Sequence, residues 1–262
     1  MPPPGGDLPD PPSFLSKKGG GSGDPSSERG EGLQPLSRSD IDPRLLVWLS
    51  PSFPVGAFAY SHGLELAADR GWIAGRDGLE AWLVDLVRQG SLRNDLILLA
   101  AAFRAAAVAD VTALRGIGEL ALALQPSAER RLETVTQGTA FVATIAAAWP
   151  PPPSRELDGA LDGEVAYPVG VGVIAARHGM GLAGTLMAYS IAFAGNLVSA
   201  AIRLSLVGQT DGQRVVAALM PTLRLAAEAA TSSTLDDIGG SALRSDLASL
   251  AHETQYSRLF RS

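Results

Sequence analysis

From residue 42 onward, apolar positions recur every three or four residues, the spacing of a helix face, and no useful stretch alternates with the period of a strand. Asp42 and Pro43 read as an N-cap followed by a proline at the first helical position, ahead of Leu45, Leu46 and Leu49. The run 50–56, Ser-Pro-Ser-Phe-Pro-Val-Gly, breaks that helix, because proline removes a donor and restrains its neighbour. A second helix is predicted over 57–70, with Gly71 as its stop. Asp77 and Glu80 have capping-box spacing before Trp82, Leu83 and Leu86. Segments 92–108, 111–124 and 127–148 read as three more helices, the last ended by Trp149 and the prolines 150–153.

After the prolines the pattern resumes. A helix over 165–177 leads into an uncharged run, 179–202, closed by Gly208. Thr210 and Gln213 repeat the capping-box spacing for a helix that runs through Leu225 and is kinked at Pro221. The last helix is predicted to start within 232–237, with Leu243, Leu247 and Leu250 on one face at helical spacing. The expectation is all-α: one helical-bundle domain of about ten helices over 41–262. Residues 1–40 are Pro, Gly, Ser and charge with almost no apolar periodicity, so a disordered extension is expected there.

Composition agrees with helix. The chain is 46% hydrophobic, mostly Ala, Leu and Val, which suffices for a sizeable core, and Ala and Leu lose little freedom in a helix. The run 179–202 is long enough to span a bilayer. It also carries Thr185, Tyr189, Ser190, Asn196, Ser199 and several glycines, so a central helix of a soluble core is the preferred reading over a membrane span. The formal charge of −6, with no basic run and only two lysines, Lys17 and Lys18, argues against a nucleic-acid partner. Without cysteine there is no disulfide or thiolate zinc site, and the N-terminus has no secretory pattern, so a cytoplasmic location is expected.

Candidate chemistry is sparse. Gly170-Val-Gly172-Val-Ile-Ala175 matches the dinucleotide fingerprint G-x-G-x-x-[GA]. That motif needs a strand before it and an acid about twenty residues beyond, yet Pro168 precedes it and no Asp or Glu lies between Glu164 and Asp211. Close helix packing is the better reading of Gly170 and Gly172; a nucleotide- or small-molecule-binding enzyme is the alternative. A P-loop needs a lysine, which the helical region lacks. His62, His178 and His252 show no paired ligand spacing, so no metal site, cofactor or catalytic residue is assigned.

Two features invite a further reading. Arg203 ends the apolar helix, where a cation either needs a partner or favours the helix C-terminus. The last residues, Tyr256-Ser-Arg258-Leu259-Phe260-Arg261-Ser, set aromatics and leucine among arginines, a composition enriched in binding hot spots. A partner-binding tail is expected; a tail docked on its own domain is the alternative.

These stretches carry a resemblance. Leu49-Ser-Pro-Ser-Phe-Pro54-Val-Gly56-Ala-Phe-Ala-Tyr60-Ser-His-Gly-Leu-Glu65 resembles the N-terminal signature of the UreF family of urease accessory proteins. The stretch 203–214, with Arg203, Gln209, Asp211 and Gln213, and the stretch 252–262, from His252 and Glu253, resemble the family's other two signatures, in its order. The resemblance covers about residue 41 to 262. It implies an all-helical, often dimeric protein without a catalytic centre. Its partners would be UreD/UreH, the nickel-binding GTPase UreG and apo-urease, to which nickel is delivered, with this subunit governing GTP hydrolysis or the fidelity of metal loading. It also implies that Tyr256, Arg258, Leu259, Phe260 and Arg261 meet UreD/UreH, and that 54–65 lies near that surface or a homodimer interface. The chain departs from the family at Leu206-Val207, where Pro-Leu is usual, and at Ala166-Tyr167, where a histidine is frequent. No metal role is carried to that position.

Overall fold

The structure is a computed structural model that describes residues 41–262. The extension expected to be disordered, 1–40, lies outside the described residues. Among these residues are ten α-helices, two 3₁₀ turns and no strand, so the all-α expectation holds. The helices are α1 (Pro43–Trp48), α2 (Leu64–Asp69), α3 (Gly75–Gln89), α4 (Ser91–Ala107), α5 (Val111–Ala123), α6 (Ala128–Ala148), α7 (Tyr167–Arg177), α8 (Leu182–Arg203), α9 (Gln209–Ala230) and α10 (Leu243–His252).

Where capping chemistry is strong, the boundaries fall where the residues put them. Asp42 accepts the Arg44 N–H, Asp110 that of Ala113 and Ser127 that of Arg130, each satisfying a donor the helix itself leaves open. Gly71, at φ +67°, closes α2 with Trp72 N–H donating to the Ala67 carbonyl.

Elsewhere tertiary demands override the local pattern. The helix expected over 57–70 is split into a 3₁₀ turn, Ala57–Ala59, and α2. His62 and Gly63 between them both take positive φ. At Gly63 a Cβ would lie 2.7 Å from the Ser249 backbone nitrogen of α10, so the chain must turn there with glycine. Asp77 sits in the first turn of α3 and caps nothing, because the helix already begins at Gly75. The apolar helix ends at Arg203, with Ser205 at φ +59°, and Gly208 opens α9 where Thr210 was expected to cap. Pro221 lies inside α9, which runs on past it to Ala230. The segment 232–237 forms a separate 3₁₀ turn, and α10 starts later. Leu243, Leu247 and Leu250 share one face, as their spacing indicates, and that face is exposed, while Ser245, Ala248, Ser249 and His252 are buried.

At the centre is α7, buried from Pro168 to Ala175. Val171 and Ile174 feed the main core with Trp48, Phe141, Leu186 and Leu219, while Val169 and Val173 feed a smaller cluster with Leu98, Leu114 and Ile117. The fingerprint glycines explain this position. A Cβ on Gly172 would stand 2.4 Å from the Leu99 carbonyl oxygen of α4, and one on Gly138 of α6 would stand 2.0 Å from the Val165 carbonyl oxygen. Gly170 and Gly172 are helix-packing residues inside α7, with no preceding strand and no loop to hold a phosphate.

The apolar helix α8 is also a core helix. Among the described residues it alone has the length and composition to cross a membrane, yet 56% of its most apolar window is buried within the protein. Its polar groups are satisfied internally: Thr185 donates to the Gly181 carbonyl, Ser190 to Leu186, Tyr189 to Asp95 and Asn196 to Ala57.

Candidate functional site: a C-terminal strap over a carboxylate cluster

After α10 the chain crosses back over α6 and the 57–65 segment. Glu65, 7% exposed, holds this strap. Its carboxylate accepts the Leu259 N–H at 2.6 Å, the Phe260 N–H at 2.9 Å and a bond from His252 Nε2 at 3.2 Å. The other ring nitrogen of His252, Nδ1, bonds Glu129 at 2.7 Å, and Glu129 pairs with Arg258. Glu253 accepts the Ala128 N–H and so caps α6.

Further along, backbone pairing takes over. Arg261 N–H donates to the Ala59 carbonyl, and the Ser262 carbonyl accepts from both the Ser61 N–H and the Ser61 hydroxyl. The Ser262 hydroxyl donates to Glu133 at 2.8 Å. Glu133 is buried on α6 and also bonds His62 Nε2 at 2.8 Å, Gln137 Nε2 at 2.9 Å and Arg130. Burial alone would push its carboxyl up, but Arg130, His62 and these hydrogen bonds bring it down to about 2. It is therefore a fixed anion. Because Glu133 can only accept, the Nε2 of His62 carries the proton, and burial pushes the ring below the usual histidine range, chiefly by desolvation.

The strap faces two ways. Phe260 is 3% exposed, with Arg203 stacked 4.4 Å from its ring centroid, and Ser262 is fully buried. Tyr256 and Leu259 point outward, as does Phe58 on the 3₁₀ turn beneath. Arg258 and Arg261 are exposed beside them. The expectation that all five side chains are free for a partner is therefore corrected at Phe260. Its ring fills a site in its own domain, because the backbone bonds to Glu65 turn it inward.

On the other side of the Glu133 cluster lies a cavity of about 390 Å³. Leu45, Leu49, Val55 and Phe193 form apolar walls, and Asp95, Tyr167 and Tyr189 bring polar groups to it.

The UreF family model matches residues 73–220. The chain is 54% identical over 218 residues to the urease accessory protein UreF of Xanthobacter autotrophicus, covering 83% of this chain and 90% of that one. It is 53% identical over 219 residues to that of Methylobacterium radiotolerans, with 84% and 96% covered. For the Azorhizobium caulinodans protein the identity is 52% over 221 residues, with 83% and 94% covered. The chain belongs to the UreF family.

The three family-like stretches are only partly one site. Tyr60, 2% exposed, and Glu65 from the first stretch lie under the strap of the third, and Arg203 from the second stacks on it. Gly56 supplies the left-handed turn, at φ +75°, that starts the 57–59 turn, and Pro54 is exposed before it. Gln209 and Gln213 are exposed at the start of α9, and Asp211 pairs with Arg214, so these three act locally. Sequence reasoning missed Glu129, Arg130, Glu133 and Asp95. Two of them offered a clue: Arg130 and Glu133 recur with Gln137 at helical spacing on a face that α6 must bury.

Proposed function

We propose that this protein is a non-catalytic scaffold for maturation of urease. In this reading it joins a UreD/UreH-type accessory protein and the GTPase UreG, and their assembly delivers nickel to apo-urease. Its part is to bridge those partners and to govern GTP hydrolysis or the fidelity of metal loading, as a cytoplasmic homodimer. Family membership supports the setting.

The observation that carries the mechanism is the two-faced strap. Its inward residues and its backbone are bonded to Glu65, Ser61, Ala59 and Glu133. Its outward residues, Tyr256 and Leu259, with Phe58 alongside, are therefore presented on a fixed frame. Preorganised aromatic and aliphatic side chains lose little entropy when a partner covers them. Arg258 and Arg261 ring the patch with charge that can pair with partner carboxylates.

Co-purification with the UreD/UreH-type partner tests this. The doubly substituted Tyr256→Ala/Leu259→Asp chain is expected to lose most capture while keeping its melting temperature, because neither side chain is buried. Undiminished capture by that variant, or by a chain truncated before Tyr256, overturns the assignment of the strap. A urease-maturation assay lacking the protein is expected to give nickel-poor urease.

A further inference from the structure

The cavity beside the Glu133 cluster has a charge imbalance that the scaffold role does not use. Arg130 and Glu133 neutralise one another as an ion pair, and His62, which burial pushes toward its neutral form, donates its Nε2–H to Glu133. Asp95, on α4, is 8% exposed and accepts one hydrogen bond, from the Tyr189 hydroxyl at 3.0 Å. Among the described residues no arginine or histidine comes within salt-bridge distance of it. Burial raises its carboxyl to about 6, with Arg130 and the Tyr189 bond opposing and Glu133 adding to the rise. The Asp95 carboxyl thus meets the cavity with one neutral hydroxyl as its hydrogen-bond partner, while Arg130, which also lines the cavity, is taken up by Glu133, an arrangement that favours arrival of a counter-ion.

The walls say which kind. Leu45, Leu49, Val55 and Ala188 offer hydrocarbon, and the rings of Tyr167 and Tyr189 lie 5.6 Å apart. Aromatic faces attract cations, most of all weakly hydrated organic ones. His62 Nδ1, a buried lone pair with no protein donor, adds a second acceptor on a residue that lines the cavity. A divalent metal ion demands more ligands than these two groups supply, and among the described residues no cluster of three His, Asp or Glu side chains could hold one. The volume, about 390 Å³, is in the range of small-molecule sites.

We propose that this cavity binds a small free organic cation, an ammonium or guanidinium head on an apolar stem, with Asp95 as its counter-ion. The head sits at the Asp95 carboxylate beside the tyrosine pair, and the stem lies along Leu45, Leu49 and Val55.

Calorimetric titration of the full chain with n-butylguanidinium and n-butylammonium tests this against n-butanol of the same stem. Saturable binding of the cations is expected, with butanol at least tenfold weaker. Asp95→Asn should cut cation affinity at least tenfold while the far-ultraviolet spectrum is unchanged. Gly195→Leu provides a second variant: Gly195 lines the cavity and a Cβ there meets nothing within 4 Å, so the fold is kept while the space is narrowed. It too should weaken binding. Equal binding of butanol, full affinity in both variants, or no saturation at millimolar ligand would each overturn the proposal. So would displacement of the co-purifying partner by butylguanidinium, which would assign the cationic group to a partner's side chain. Neither variant touches the strap, so capture of the partner by Asp95→Asn is expected to be normal, and failure here is separable from failure of the scaffold reading.

Discussion

Replacing Glu65 by glutamine changes one atom's identity and asks the most of the strap. Three bonds converge on two carboxylate oxygens: Leu259 N–H on one, Phe260 N–H and His252 on the other. Glutamine keeps one oxygen and turns an amide NH₂ toward the remaining donor or donors, so at least one buried N–H is left facing another N–H. A hydrogen bond to a charged group contributes about 1.5–3 kcal/mol, and an orphaned buried donor costs about 1–3 kcal/mol. With partial relaxation the loss is roughly 2–4 kcal/mol, confined to the strap because Glu65 makes no hydrogen bond to α4 or α7. At 1.36 kcal/mol per decade, the open strap should be about thirty to a thousand times more populated. Native-state hydrogen exchange reads this directly, since amide protection reports local opening. Leu259, Phe260 and Arg261 amides should exchange faster by that factor while amides of α4 and α7 keep their rates. Unchanged exchange at Leu259 and Phe260 would refute the reasoning, as would equal acceleration throughout, which would make Glu65 a determinant of the whole fold.

Gly172→Ala should destabilise the protein by about 1–3 kcal/mol or more in urea unfolding, since the new methyl meets the rigid backbone of α4; a neutral result would refute the packing account of the fingerprint. Glu133, lowered to about 2 in the fold from its ordinary value of 4.5, contributes stability that is present above pH 4.5 and lost as pH falls toward 2. Glu133→Gln should therefore flatten the decline of the urea midpoint over that window. Asp95 has the opposite sign: raised from 3.8 to about 6, it favours the fold below pH 3.8 and loses that contribution as pH rises through 6. Asp95→Asn should gain stability relative to the parent chain at pH 7.5 and not at pH 3.5. Leu247→Gln, on the exposed face of α10, should shift stability by no more than about 0.5 kcal/mol.

Helices with a strong cap and a one-sided apolar stripe were legible in the sequence; those bent by a neighbour were not. Asp42, Asp110 and Ser127 announce α1, α5 and α6 by side-chain chemistry that acts within three residues. The break at His62–Gly63 is invisible locally, because its cause is the backbone of Ala248 and Ser249, some 185 residues away in the chain. Which face α10 buries has a similar origin. Periodicity marks Leu243, Leu247 and Leu250 as a set, but it cannot say whether the core or the surface receives them. Small residues decided it, since Ala248 and Ser249 permit the close approach to Gly63 that leucine would block.

The tail shows why composition alone could not place a binding residue. Tyr256, Leu259 and Phe260 look equivalent in sequence, each an apolar group near an arginine. What separates them is register against Glu65: once that carboxylate takes two successive amides, the side chains of Leu259 and Phe260 must diverge, one outward and one toward Arg203. A buried glutamate within an apolar signature is costly unless it is satisfied, so Glu65 itself was the clue that some segment must bring it donors. The donors prove to be the backbone of the tail. Inward fixation and outward display are thus the same event, and a partner that grips Tyr256 and Leu259 on the seated strap stabilises the bonds that Glu65 makes. Tight capture should for that reason raise protection of the Phe260 amide, and capture that left it unprotected would mean that the strap leaves its seat to bind.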